Sequence, residues 1–230
     1  MARLNEPFGM ADTGFRIHDD TLPRPEELTP FQEACCLELE NRCLHLHGRE
    51  GQEETLLFSR GACRTASGWE PYLCHKVEED VYSVIRQTLS GGFRAMSVSL
   101  RHRTVCEVRW KRGPEGFQCR HSLYALEGGA LPEAEALGES GFFLRLGPAD
   151  QYVHPSGGSK ATVAAYRLGG GFSSLCLSYG AHAPTLFVTL DTLNMRGAGM
   201  LFAPETETPV SVYGGFWDPN RPGPAQQAGG

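Results

Sequence analysis

The chain has 230 residues, of which 40% are hydrophobic and 21% are charged, and its formal net charge is −6. This length allows one large domain or two small ones, and the composition is that of an ordinary globular protein. Because no basic excess is available to neutralise a phosphate backbone, nucleic acid is not an expected partner.

The N-terminal segment, residues 1–28, is polar with scattered Pro, Gly and Asp, and we predict an extended arm. It lacks the charged region and apolar stretch of a secretory signal, and no run in the chain approaches the ~18 apolar residues that span a bilayer. We therefore expect an intracellular protein, cytoplasmic or nuclear, with no membrane partner. Its eight cysteines are then expected to be reduced.

Residues 41–60 are predicted to form a β-hairpin, in which a polar, Gly-flanked turn joins two strands. The first strand opens with "CLHLHG", where a cysteine and two histidines alternate with leucines and so share one face. Cysteine and histidine are common zinc ligands. The candidate ligands are Cys43, His45, His47, Cys74 and His75. The alternative is a half-buried strand whose leucines face the core, and the lack of a C-x₂-C knuckle favours it.

Residues 76–89 are predicted to form the one clear helix. Its apolar side chains recur at helical spacing: Val77, Val81, Val84, Ile85 and Leu89. Gly91 or Gly92 would supply the left-handed residue that ends such a helix.

After residue 93 the sequence breaks into short segments rich in β-branched and aromatic residues, bounded by Gly, Pro or polar turns. Turns at intervals of roughly 8–12 residues are typical of a β-sandwich or barrel. We therefore predict a mainly β, β-rich α+β fold: an antiparallel sandwich or irregular barrel with one helix. A single β-rich domain would span residues 29–217.

A hairpin centred on "GPEG", residues 113–116, would pair Trp110 with Cys119 and Val108 with His121. One face of this ribbon is then apolar and is predicted to pack on the core. The other face carries Glu107, Arg109, Lys111, Gln118 and Arg120, and is predicted to face solvent. Arg101 and Arg103 precede this ribbon and are candidate partner-binding residues on the surface.

Catalytic motifs are incomplete in this chain. "GGFSSLC" has Leu175 where a nucleophile elbow needs its last Gly, and "HPSGGSKAT" has its glycines and lysine in the wrong order for a phosphate loop. The most enzyme-like patch lies at residues 150–160, where several polar and titratable side chains share one predicted loop. Its members are Asp150, Tyr152, His154 and Lys160.

The C-terminal residues 218–230, "DPNRPGPAQQAGG", are predicted to form a flexible tail because they offer little apolar surface to bury. Phe216 and Trp217 directly precede this tail. Large aromatic side chains at such a place either anchor a partner or close the last strand onto the domain.

These observations favour a non-catalytic protein that acts by binding another protein, in an adaptor or accessory role. No cofactor is expected under this hypothesis, and zinc is the alternative. Two further alternatives are a small hydrolase and a ligand-binding protein centred on residues 150–160. A last one is an accessory or immune-evasion protein of a GC-rich DNA virus, because three lysines and two isoleucines beside 18 arginines indicate GC-rich coding.

Overall fold

The computed structural model describes residues 36–90, 92–113, 116–134, 143–147, 151–153, 162–178, 185–194, 196–202 and 210–217. The described part of the chain is mostly β, with 70% strand and 2% helix, and its sheets are antiparallel. The helical part of the described residues is one short 3₁₀ turn, Arg49–Gly51. The prediction of a mainly β, antiparallel fold that includes a barrel is confirmed.

The first eight strands form a closed barrel in which each strand pairs with the next and β8 pairs back with β1. Their bounds are β1 Cys43–Gly48, β2 Glu53–Ser59, β3 Ala62–Thr65, β4 Gly68–Glu78, β5 Val81–Gln87, β6 Phe93–Ser99, β7 Thr104–Gly113 and β8 Gly116–Leu126. The hairpin predicted for residues 41–60 corresponds to β1 and β2.

The next eight strands form a second sheet, ordered β11-β10-β16-β15-β14-β13-β12-β9. Their bounds are β9 Glu133–Ala134, β10 Phe143–Gly147, β11 Gln151–Val153, β12 Thr162–Gly169, β13 Phe172–Ser178, β14 Thr185–Asp191, β15 Arg196–Phe202 and β16 Val210–Trp217.

The second sheet packs against the outer face of the barrel at strands β4 to β7. Ile85 of the barrel lies in one apolar cluster with Phe187 and Met200 of the sheet. The hydroxyl groups of Ser97 and Thr189 are hydrogen-bonded at 2.7 Å across this interface. These barrel strands therefore bury their inner face in the barrel and their outer face against the sheet.

The prediction of a helix over residues 76–89 is wrong. Residues 76–78 end strand β4, Glu79 and Asp80 form a turn with Asp80 at φ 60°, and residues 81–87 are strand β5. Since β5 is covered on both faces, six of its seven residues are buried and its polar–apolar alternation is lost. The apolar residues of this segment therefore match the spacing of a helix only by coincidence.

Residues 36–42 close one end of the barrel, and we call them the plug. Leu39 is fully buried within the barrel core. The Glu38 carboxylate accepts a hydrogen bond from the Tyr82 hydroxyl at 2.8 Å, and Glu40 accepts one from the Tyr72 hydroxyl at 2.7 Å. The plug therefore closes the apolar end of the barrel. The inner side chains that the plug does not contact lie toward the opposite end.

The predicted arm at residues 1–28 and the predicted tail at residues 218–230 lie outside the described residues. Among the described residues, no helix is long and apolar enough to cross a membrane.

Candidate anion-binding site

Four arginines lie side by side on the inner face of the barrel, one from each of strands β5 to β8. They are Arg86, Arg94, Arg109 and Arg120, and we call them the arginine row. Each is the direct cross-strand partner of the next. Like charges placed directly opposite each other destabilise a sheet, so this row needs negative charge nearby.

Three glutamates supply that charge: Glu54 from β2, Glu70 from β4 and Glu107 from β7. Arg86 donates through Nη1 to Glu70 at 3.0 Å and through Nη2 to Glu107 at 2.8 Å. Arg94 donates through Nη1 to Glu54 at 2.9 Å. Arg109 donates through Nε to Glu107 at 2.8 Å.

Burial and the neighbouring positive charges shift the pKa values of these acids in opposite directions. Burial would raise the pKa of Glu107, but the positive charges of Arg86 and Arg94 and the hydrogen bond from Arg109 outweigh it and lower that pKa. For Glu70, burial is the stronger effect, and the pKa is raised despite the charge of Arg86. Glu107 is therefore the acid whose charge the arginines hold most firmly.

The arginine row runs from the protein interior to solvent. The exposed fraction of the side chain is 0% for Arg86, 20% for Arg94 and 44% for Arg109, and Arg120 is classed as exposed. No described residue forms an ion pair with Arg120. Among the described residues, four arginines thus face three carboxylates, and Arg120, which has no described acid beside it, lies at the exposed end of the row, which we call the mouth.

The mouth opens into a cavity of about 1200 Å³. Glu54, Arg94, Arg109 and Arg120 line this cavity, and strand β3 contributes Arg64. Among the described residues, five arginines and three glutamates line the whole cavity, which gives it a positive excess. A cavity lined by more guanidinium groups than carboxylates is suited to bind an anionic group.

The sequence predicted the strand pairing at this site correctly, and the face predicted to be apolar is buried, with Val108 and Trp110 packed against the second sheet. The prediction that the charged face lies in solvent is wrong for its buried part. Trp110 pairs with Cys119 and Val108 with His121, as the "GPEG" turn requires. Glu107, however, is fully buried inside the barrel. The side chains of Lys111 and Gln118 lie outside the described residues.

The sequence matches no protein-family model and no curated protein. The function must therefore be argued from the chemistry of this chain alone.

The strand "CLHLHG" presents its cysteine and histidines to the outside of the barrel, while Leu44 and Leu46 face the core. His45 Nδ1 lies 3.2 Å from the Thr55 hydroxyl, and His47 lies 3.5 Å from Glu53. Cys74 instead belongs to the buried core of the barrel.

The structure thus does not bring the five candidate zinc ligands together. Within the described ranges, no three His, Cys, Asp or Glu side chains form a group that could hold a metal ion. The geometry does not support the zinc hypothesis, which elemental analysis of the purified protein can test.

The other candidate residues lie away from the arginine row or outside the described residues. Asp150, His154 and Lys160 are outside them, and Tyr152 is placed only by its backbone, in β11. Phe216 and Trp217 pair with Leu144 and Phe143 in the second sheet. Arg101 and Arg103 are exposed and donate to the carbonyl oxygens of Glu79 and Glu127. The partner-binding role of these residues stays a prediction.

Proposed function

We propose that this protein is a non-catalytic binding protein that receives an acidic segment of a protein partner at the arginine-lined mouth of its barrel. The observation that carries this proposal is the arginine row, in which four arginines share three carboxylates. A carboxylate from a partner would supply the missing negative charge beside Arg120.

The bonding pattern within the row supports this proposal. Among the described residues, Arg94 contacts its acids only through Nη1, and Arg109 uses Nε and Nη2. A planar guanidinium group carries five N–H donors and can hold a carboxylate through two of them. The existing ion pairs thus orient the guanidinium groups before a ligand arrives, which reduces the entropy lost on binding.

The size and openness of the cavity favour a chain segment as the ligand. Its volume of about 1200 Å³ exceeds the roughly 300–1,000 Å³ of typical small-molecule pockets.

The test is a binding assay with a fluorescently labelled hexaglutamate peptide, capped at both ends, and a matched hexalysine peptide. We expect hexaglutamate to bind and hexalysine not to bind. Arg120→Glu should weaken hexaglutamate binding by about tenfold or more, which corresponds to about 1.4 kcal/mol. Because surface charges are screened by salt, raising the ionic strength should also weaken binding.

Arg103→Glu is the matched control, since it makes the same change of charge at an exposed position outside the cavity. It should leave hexaglutamate binding unchanged. Equal losses in the two variants would mean that the peptide responds to overall charge, and the proposed site would be wrong. If Arg103→Glu alone lowered binding, the predicted partner-binding surface at residues 101–103 would be favoured instead.

A further inference from the structure

Two cysteines connect the plug to the barrel wall. The backbone N–H of Cys36 donates to the carbonyl oxygen of Cys74 at 2.9 Å. The two side chains are also hydrogen-bonded to each other. Cys36 is partly exposed, whereas Cys74 is fully buried in the barrel core. One thiol of this pair can therefore meet a reagent from solvent, and the other lies directly behind it.

The surroundings of Cys36 favour its thiolate form. The hydrogen bond from the Cys74 thiol is the largest effect, and it outweighs burial and the negative charge of Glu38. Together with a backbone hydrogen bond at Glu38 and the charge of Lys76, it lowers the pKa of Cys36 to about 6. Since the thiolate is the nucleophile in disulfide exchange, Cys36 is reactive at neutral pH.

The spacing of the two residues suits a disulfide. The backbone hydrogen bond and the hydrogen bond between the thiols hold Cys36 and Cys74 side by side. Disulfides form between residues placed in this way, at Cα distances of about 4.4–6.8 Å. Closing a bond between Cys36 and Cys74 therefore needs little movement of the backbone.

We propose that Cys36 is a modification site that reacts with small-molecule disulfides such as oxidised glutathione, and that Cys74 resolves the adduct into a Cys36–Cys74 disulfide. This disulfide would fix the plug covalently to strand β4. It would act at the apolar end of the barrel, away from the arginine row.

The reaction has two exchange steps. The Cys36 thiolate attacks one sulfur of oxidised glutathione, forms a mixed disulfide and releases one glutathione thiolate. The Cys74 thiol then loses its proton and attacks the Cys36 sulfur, which releases the second glutathione. Two protein thiols are oxidised by two electrons, the glutathione disulfide is reduced, and the two thiol protons pass to the two glutathione molecules.

Five other cysteines lie in the described part of the chain, and Cys43 is the exposed one, with its sulfur 3.7 Å from His45 Nε2. Burial raises the pKa of Cys63 and of Cys106 to about 12. Cys119 and Cys176 form a second hydrogen-bonded pair between the barrel and the second sheet. A test must therefore identify which pair is oxidised.

The experiment treats the full chain with oxidised glutathione, blocks the remaining thiols and digests the protein with trypsin without reduction. We expect a cross-link between residues 17–42, which contain Cys35 and Cys36, and residues 65–76, which contain Cys74. Cys36→Ser should abolish this cross-link. Cys35→Ser, the matched control at the neighbouring residue, should retain it. Cys74→Ala should stop the reaction at a glutathione adduct on Cys36.

Three results would overturn the proposal: no cross-link in the wild-type chain, its loss in Cys35→Ser with retention in Cys36→Ser, or a cross-link between Cys119 and Cys176 alone. A second measurement uses the wild-type chain and therefore needs no variant that alters the core. The alkylation rate of Cys36, followed by mass spectrometry as a function of pH, should be half-maximal at about pH 6. A rate that still rises steeply above pH 8 would contradict the assignment of Cys36 as the reactive thiol.

Discussion

Glu107 is the residue on which the charged end of the barrel most depends. Its side chain is fully buried and lies within 3.6 Å of Arg86, Arg94 and Arg109. Removing one member of a buried ion-pair group leaves the remaining charges uncompensated, which typically costs about 3–5 kcal/mol. We expect Glu107→Gln to lower the free energy of unfolding in urea by about 3 kcal/mol. Glu53→Gln, the same change at a 76% exposed side chain, should alter it by less than about 0.5 kcal/mol.

The pH dependence of the same variant gives a second readout. Because the pKa of Glu107 is lower in the folded protein, its charge adds stability above the ordinary value of about 4.3, and this stability is lost as pH falls through the lowered pKa. The free energy of unfolding, measured between pH 3 and 7, should therefore depend less on pH in Glu107→Gln than in the wild type. Equal slopes in the two proteins would mean that the arginines do not hold this charge.

The charged residues of the barrel show which parts of this site could be predicted from the sequence. The "GPEG" turn fixes which residues of β7 and β8 oppose each other, so the pairing of Arg109 with Arg120 was predictable. Alternation identifies the apolar face but does not show that the opposite face is buried as well, so Glu107 was assigned to solvent. Only closure of the barrel, which depends on pairings distant in sequence, brings Glu54 and Arg86 to the same place.

At the scale of single elements, strand β5 offers a test of burial on both faces. Val84 faces the barrel core and Ile85 faces the second sheet. Truncating either side chain leaves a cavity, so we expect Ile85→Ala to cost about 2–4 kcal/mol and Val84→Ala about 2 kcal/mol. Leu89→Ala should cost less than about 0.5 kcal/mol, because Leu89 is 57% exposed.

Urea denaturation of the three variants checks this expectation, with Leu89→Ala as the control. The mistaken helix placed all three residues on one buried stripe, and equal losses at Val84, Ile85 and Leu89 would favour it over the strand. The sequence could not separate the two structures, because a strand buried on both faces lacks the period-two pattern. Where one face is exposed, as in "CLHLHG", the alternation predicted the inner leucines correctly.

At the scale of the whole molecule, the barrel and the second sheet share one continuous interface. The Thr104 hydroxyl donates to the carbonyl oxygen of Leu168 at 2.7 Å. His102, in the turn between β6 and β7, packs against Gly170, which has φ 58° and where a Cβ atom would lie 2.3 Å from the imidazole Nε2. A larger side chain at residue 170 would have to displace the His102 ring and adopt a left-handed backbone conformation that favours glycine.

Phe202 tests whether this interface makes the two sheets one cooperative unit. It is 3% exposed, stacks on Trp110 and lies edge-on to Phe93 at a ring-centroid distance of 6.1 Å. Phe202→Ala should lower the free energy of unfolding by about 3–5 kcal/mol. Leu193→Ala, at a side chain that is 71% exposed, is the control and should change it by less than about 0.5 kcal/mol.

Hydrogen exchange identifies which strands lose stability in Phe202→Ala. Strand β2 pairs only with β1 and β3, on the barrel wall away from β4 to β7. If barrel and sheet unfold together, the most protected amides of β2 should lose as much protection as those of β14, because both report the same global opening. If β14 alone lost protection, the barrel would be stable without the sheet, and the single domain predicted for residues 29–217 would be two.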